Sequence, residues 1–184
     1  MRLFHTGFLE IKTPDIYYGR KNADFGQGFY LTDDMEFSRR WAKERKGETT
    51  ICNTYELNTE GLSVKEFSRS EEWFDYINKN RNHKPDELKE YDIIMGPIAN
   101  DTIYDVMGII TSGYLDAKES LQLLMIGPEY HQITIKSEKA AAQLEFLSSE
   151  EIVLKDILKY RELVAREEAD YQELFARELE RLEE

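Results

Sequence analysis

Residues 20–32, RKNADFGQGFYLT, set two glycines, Gly26 and Gly28, against Phe25, Phe29 and Tyr30. Glycine has no Cβ, so it tolerates φ > 0 and lets a ligand approach the main chain closely. An aromatic pair just after such glycines can put a flat ring on the wall of a pocket for a small planar ligand. The same spacing also fits a hairpin bend with two core aromatics, because strand glycines mark bulges and bends. Arg20 carries a guanidinium suited to phosphate, or is a plain surface-loop arginine. His5, beside Leu3 on a leading strand, reads by position alone as a satisfied buried histidine. Asn100 and Asp101 follow Gly96-Pro97 and suit the cap of a following helix. Cys52, the single cysteine, falls in an alternating segment and reads as a small buried filler. Three histidines and one cysteine without ligand spacing predict no metal site.

The elements that must position these residues follow from periodicity. Strands are expected over 1–6, 29–31, 50–57, 62–67, 91–95 and 131–135, the fifth stopped by Gly96-Pro97. Helices are expected over 34–46, with Met35, Phe37 and Trp41 inward, and over 70–80, with Trp73, Phe74 and Ile77 inward and Ser70 as cap. Further helices are expected over 101–111, 116–124 and 137–146, the last capped by Ser137. For the first helix, Asp33 with Glu36 fits a capping box and Thr32 competes. The basic run 39–46 reads as a solvated face, or one that meets nucleic acid or an acidic tail like the chain's own. Short strands and helices mixed without βαβ regularity indicate an α+β fold and not a doubly wound sheet.

Residues 148–184 differ in kind. Ser148 with Glu151 has a capping-box pattern, and no Gly or Pro follows. Ile157, Tyr160, Val164, Tyr171, Phe175, Leu179 and Leu182 recur at helical spacing, with twelve acids against six bases over 148–184. A helix of this kind needs a surface to pack on. That surface is the domain itself, a second copy or a partner. Over the whole chain of 184 residues the net charge is −13, which excludes a general electrostatic grip on nucleic acid. Hydrophobic residues make up 41%, enough for one core. With no signal-like segment and no apolar run long enough to span a bilayer, the expectation is a soluble, cytoplasmic chain with no membrane association.

Four segments in order carry a resemblance: LFHTG at 3–7, DFGQGFYLT at 24–32, YDIIMGPIAND at 91–101 and QITIKSEKA at 132–140. With the Trp41-Ala42 pair between the second and third, they resemble a bacterial family of uncharacterised domains grouped with the ADP-ribosyltransferases. The resemblance covers residues 1–147, with 148–184 as a separate acidic amphipathic helix. It implies a split, mixed β-sheet with flanking helices and a cleft for NAD as substrate. His5 would then bond a ribose hydroxyl, and Thr6 or Gly7 backbone groups would hold the nicotinamide carboxamide. Tyr30, beside Phe29, would stack on the nicotinamide ring, Arg20 would meet the pyrophosphate, and Gln132 would lie beside the nicotinamide ribose. His5, Tyr30 and Gln132 are thus the implied catalytic set.

Related enzymes carry a glutamate at the position of Gln132. Cleaving the nicotinamide–ribose bond develops positive charge on the ribose, and a charged acceptor for its 2′-hydroxyl stabilises that charge better than an amide does. Glu129 and Glu138 are the nearest carboxylates in sequence. The resemblance implies an NAD-dependent ADP-ribosyltransferase acting on a macromolecule, a bacterial toxin, with an antitoxin or self-association through 148–184. Two other readings stay open: an NAD- or nucleotide-binding module with little turnover, and a partner-binding protein acting through its C-terminal helix.

Overall fold

The computed structural model describes residues 1–98, 119, 122–123 and 125–183. Among them, strands β1 (Arg2–Gly7), β3 (Ile51–Leu57) and β7 (Leu144–Glu151) form an antiparallel sheet in the order β1-β3-β7. Strands β2 (Phe29–Leu31), β4 (Val64–Glu66), β5 (Ile93–Pro97) and β6 (His131–Ile135) form a second sheet in the order β2-β6-β5-β4. That sheet is mixed, since β4 runs parallel to β5 and the other pairs are antiparallel. The helices are α1 (Met35–Arg40), α2 (Glu71–Arg81), α3 (Glu138–Ala142) and α4 (Leu154–Glu183). This is a mixed α+β fold with two sheets and a long C-terminal helix.

The two sheets touch at one β-bridge. Phe4 and Thr32 exchange both main-chain hydrogen bonds, at 2.8 and 3.0 Å. Beyond that bridge β1 and β2 separate. Alternation along β2 then sorts its side chains. Phe29 and Leu31 join Leu3, Tyr55, Ile133 and Ile135 in one core, while Tyr30 packs against a second core of Phe25, Phe67, Trp73, Tyr76 and Ile94. Each large side chain so buried is worth roughly 1.5–3 kcal/mol. A smaller cluster of Phe4, Ala42, Cys52, Ile152 and Ile157 takes the outward side of β1, and Cys52 is the buried filler its pattern suggests.

Several expected elements differ. The helix expected over 34–46 stops at Arg40, so Met35 is exposed, and its N-cap is Asp34, whose carboxylate accepts from Phe37 N. Gly96 and Pro97 do not stop β5. They pair with Gln132 and His131. A Cβ on Gly96 would meet Phe67 at 2.9 Å, so packing demands the glycine. The helix expected over 137–146 ends at Ala142, though Ser137 caps it as expected. Residues from Leu144 onward pair instead with β3, whose free edge otherwise has unpaired N–H and C=O groups. A register shift between Thr54 and Tyr55 leaves Leu147 unpaired, breaking the period-two pattern that would have revealed the strand. Ser148 therefore pairs with Thr54 rather than capping a helix, and the expected boundary at 147/148 falls inside β7.

Helix α4 lies on the domain. Ile157, Tyr160 and Tyr171 are buried, and Phe175 and Leu179 pack against the Trp73 core. Tyr160 donates to Glu36 of α1 at 3.0 Å, and Arg40 bonds both Tyr130 and Glu167. Arg39 meets Glu150 at 2.9 Å. Part of the basic run thus meets the chain's own acidic C-terminal region. No helix among the described residues is long and apolar enough to cross a membrane. The helices expected over 101–111 and 116–124 lie outside the described residues, apart from helical Glu119, Gln122 and Leu123, as do Asn100 and Asp101.

Candidate functional site

A pocket of about 730 Å³ opens where β1 leaves β2. Small-molecule sites fall at roughly 300–1,000 Å³. His5, Gly7 and Phe29 form its strand-borne wall, with Tyr30 at the border. Loop residues Phe8, Leu9, Ile11 and Tyr18 form the second wall, and Arg45, Gly47, Glu48 and Thr49 the third. The first loop is tethered by β3. Asn53 accepts from Ile11 N at 3.0 Å and donates to Leu9 O at 2.9 Å, and Tyr55 donates to Ile11 O at 2.6 Å. Gln27 ties the far end of the loop by donating to Tyr17 O at 2.7 Å.

His5 sits at the split. By ladder alternation Tyr30 C=O points toward β1, where Thr6 N–H would answer it. Instead, His5 Nδ1 donates to Tyr30 O at 2.8 Å. A carbonyl only accepts, so Nδ1 carries the proton and Nε2 is left as an acceptor. Burial pushes the His5 pKa below its ordinary value and outweighs the opposing pull of the Tyr30 carbonyl, so the ring is neutral. The ring packs on Phe29 with centroids 4.7 Å apart. A Cβ on Gly7 would come within 3.3 Å of Nε2, so the glycine keeps that nitrogen open. The result is a rigid, neutral acceptor at the wall of a largely apolar pocket, suited to a ligand hydroxyl.

The same alternation separates the alternatives for the main-chain groups. Leu3, His5 and Gly7 direct N–H and C=O to β3, whereas Thr6 directs them to the split. The Thr6 side chain turns away and bonds Ser38 Oγ at 2.9 Å. Arg20 is exposed and does not border the pocket.

Tyr30 borders the pocket, but its ring belongs to the other face. Its hydroxyl accepts from Phe25 N at 2.9 Å and donates to Gly26 O at 2.7 Å. Burial, then the Asp24 charge, raises its pKa far above the ordinary phenol value. Gln132 is also on that face. It is buried and donates to Asp24 Oδ2 at 3.1 Å, and Asp24 is paired with Arg81 at 2.6 Å. Nearby, Lys136, only 3% exposed, pairs with Asp86 and donates to Phe25 O, and Tyr76 donates to Asp86 at 2.8 Å. Glu129 bonds His131 at 2.8 Å and Glu138 is exposed, and neither borders the pocket. The carboxylates that do are Asp15 and Glu48.

The glycines of the DFGQG stretch serve packing first. A Cβ on Gly28 would lie 2.6 Å from Ile135 O, where β2 meets β6. Gly26 has φ +75° and lies against Asp86 and Lys136. A bend with two core aromatics, Phe25 and Phe29, accounts for them, but it is not a hairpin, since β2 pairs with β6, and Gly28 also borders the pocket. The loop contributors Phe8 and Tyr18 carry no periodic signal in the sequence, and Arg45 reads there only as part of the basic run 39–46. Among the described residues no cluster of three metal-ligating side chains occurs.

A family model described as Protein of unknown function (DUF3990) matches residues 1–146. No curated protein matches the chain.

Proposed function

The chain belongs to the DUF3990 family of proteins of unknown function, and from that premise we propose that it binds NAD at the β1–β2 split and transfers ADP-ribose to a macromolecule. The observation that carries this reading is His5. A neutral imidazole whose Nδ1 is locked to Tyr30 O offers Nε2 to a ribose hydroxyl. Thr6, whose main-chain N–H and C=O ladder alternation turns toward β2, does not border the pocket and adds no contact of its own. The reaction class is taken from the resemblance that the four ordered segments carry.

In that reaction the nicotinamide–ribose bond breaks, its electron pair leaves with nicotinamide, and the acceptor's nucleophile takes the ribose carbon. Positive charge on the ribose calls for a carboxylate acceptor nearby. Gln132 is committed to Asp24 and supplies none. Glu48 and Asp15 are the carboxylates at the pocket. A second reading, an NAD-binding module with little turnover, is favoured by that placement of Gln132. The biological setting implied by the resemblance is a bacterial toxin, one of a toxin–antitoxin pair. Because the domain covers the inner stripe of α4, an antitoxin or second copy would meet its exposed residues Leu154, Leu158 and Leu174.

Calorimetric titration of NAD into the full chain tests the reading. The parent binds, and His5→Ala weakens binding by about tenfold, the scale of one buried hydrogen bond lost. No NAD binding by the parent overturns it. Nicotinamide release, with labelled NAD incubated in lysate, separates transferase from binding module.

A further inference from the structure

We infer that Arg45 reads the phosphate of the ligand at this site, a role sequence reasoning had given to Arg20. The inference rests on the nucleotide reading above and names which residue makes the site prefer a phosphorylated nucleoside to a neutral one.

Arg45 is the one lysine or arginine among the described residues that border the pocket. Its guanidinium lies over the Phe8 ring, 5.6 Å from the centroid, so the pocket wall itself positions the charge. The group remains 64% exposed, free to turn inward. It belongs to a tight turn in which Glu48 N–H bonds Arg45 O at 3.0 Å. Gly47, at φ +81°, closes that turn, and nothing lies within 4 Å of where its Cβ would be. The space on that side of the turn is therefore open.

The partner of Arg45 in this state is Glu48, at 3.4 Å and three residues away. An exposed pair of this type is worth little. A phosphate offers a bidentate, more strongly charged acceptor that a guanidinium matches in geometry. Phosphate at the mouth would thus displace Glu48, which acts as a resident competitor. At the strand wall, His5 Nε2 takes a hydroxyl and discriminates nothing by charge. One neutral acceptor on the strand wall and one guanidinium on the loop wall together specify a phosphorylated sugar.

The test is calorimetry on the full chain with NAD, ADP-ribose and nicotinamide riboside at several salt concentrations. Arg45→Ala should weaken NAD and ADP-ribose by at least about tenfold. It should not weaken the riboside, which carries a pyridinium cation and no phosphate, and it should flatten the salt dependence of NAD binding. Arg45→Lys should recover part of the loss, and Glu48→Gln should tighten both dinucleotide-type ligands. If Arg45→Ala binds NAD like the parent, or loses riboside and NAD equally, the inference is overturned while the NAD reading stands. A parent chain that binds neither NAD nor ADP-ribose overturns both.

Discussion

The two faces of β2 treat their polar side chains in opposite ways. On the face of Phe29, His5 commits Nδ1 to Tyr30 O and keeps Nε2 for the pocket. On the face of Tyr30, polar groups are used up inside the protein. The Tyr30 hydroxyl joins Phe25 N to Gly26 O, Gln132 donates to Asp24, and Lys136 is held by Asp86 and Phe25 O. Buried polar groups must find partners. A buried side chain with an acceptor held open is therefore a better sign of a ligand than a buried polar cluster whose members answer each other. By that criterion the first face is the candidate site and the second is the scaffold that holds the 23–30 segment in shape.

The largest expected effect breaks the scaffold face. Asp86→Ala leaves Lys136 charged and buried with only a carbonyl nearby, and removing one partner of such a pair costs roughly 3–5 kcal/mol. Urea unfolding should show that loss, while NAD binding by the folded fraction stays at the parent value. A stability change within experimental error would mean that the pair is not structural.

Gln132→Glu comes next. A carboxylate there would face Asp24 in a buried setting, with Arg81 already engaged, so destabilisation of roughly 1–3 kcal/mol is expected at neutral pH. The loss should shrink on acidification as the new carboxyl takes up a proton. A stable variant with faster NAD cleavage would instead bring the Tyr30 face into the chemistry and dissolve the contrast.

Tyr30→Phe removes the hydroxyl that bridges Phe25 N and Gly26 O, for about 1–2 kcal/mol of stability. NAD affinity should be unchanged. An affinity loss without a stability loss would show the ring acting on the ligand.

The smallest effect is the acid response of the pocket face. Burial lowers the His5 pKa in the folded chain, so on acidification the unfolded chain takes up the proton first. Stability from this group is fully present above its ordinary pKa and is lost as the pH falls below it. NAD binding should weaken in the same direction, because a protonated Nε2 no longer accepts. Thermal melts and titrations across that range, compared with His5→Gln, decide it, and a parent and variant with identical pH profiles would remove His5 from the account.

Much of the scaffold was legible because local rules suffice for it. Ser70 and Ser137 cap their helices at Trp73 N and Ala140 N as their positions imply. The alternation of 131–135 and 50–57 marks strands directly, since side chains on a strand have a period of two, although β6 is buried on both faces. β7 was not legible, because the unpaired Leu147 breaks that period and the decisive force is the open edge of β3, far away in sequence. The surroundings of α1 were no more legible: its last residue, Arg40, bonds Tyr130 and Glu167, contacts over 90 and 127 residues.

Only the family resemblance pointed to His5 and Gly7. By itself, the chain determined which residues form most strands, where two helices begin, that the fold is α+β, and that Gly28 and Phe29 deserved chemical scrutiny. These depend on spacing and residue type. Tertiary structure decided which of the chemically competent side chains face the pocket. Gln132 carries an amide equal to a ribose contact, yet Asp24 holds it, while Arg45, one of several bases in a run, comes to the pocket beside Phe8. The reason is that a polar side chain is committed or left available by partners brought in from distant segments, and no local pattern records who those partners are.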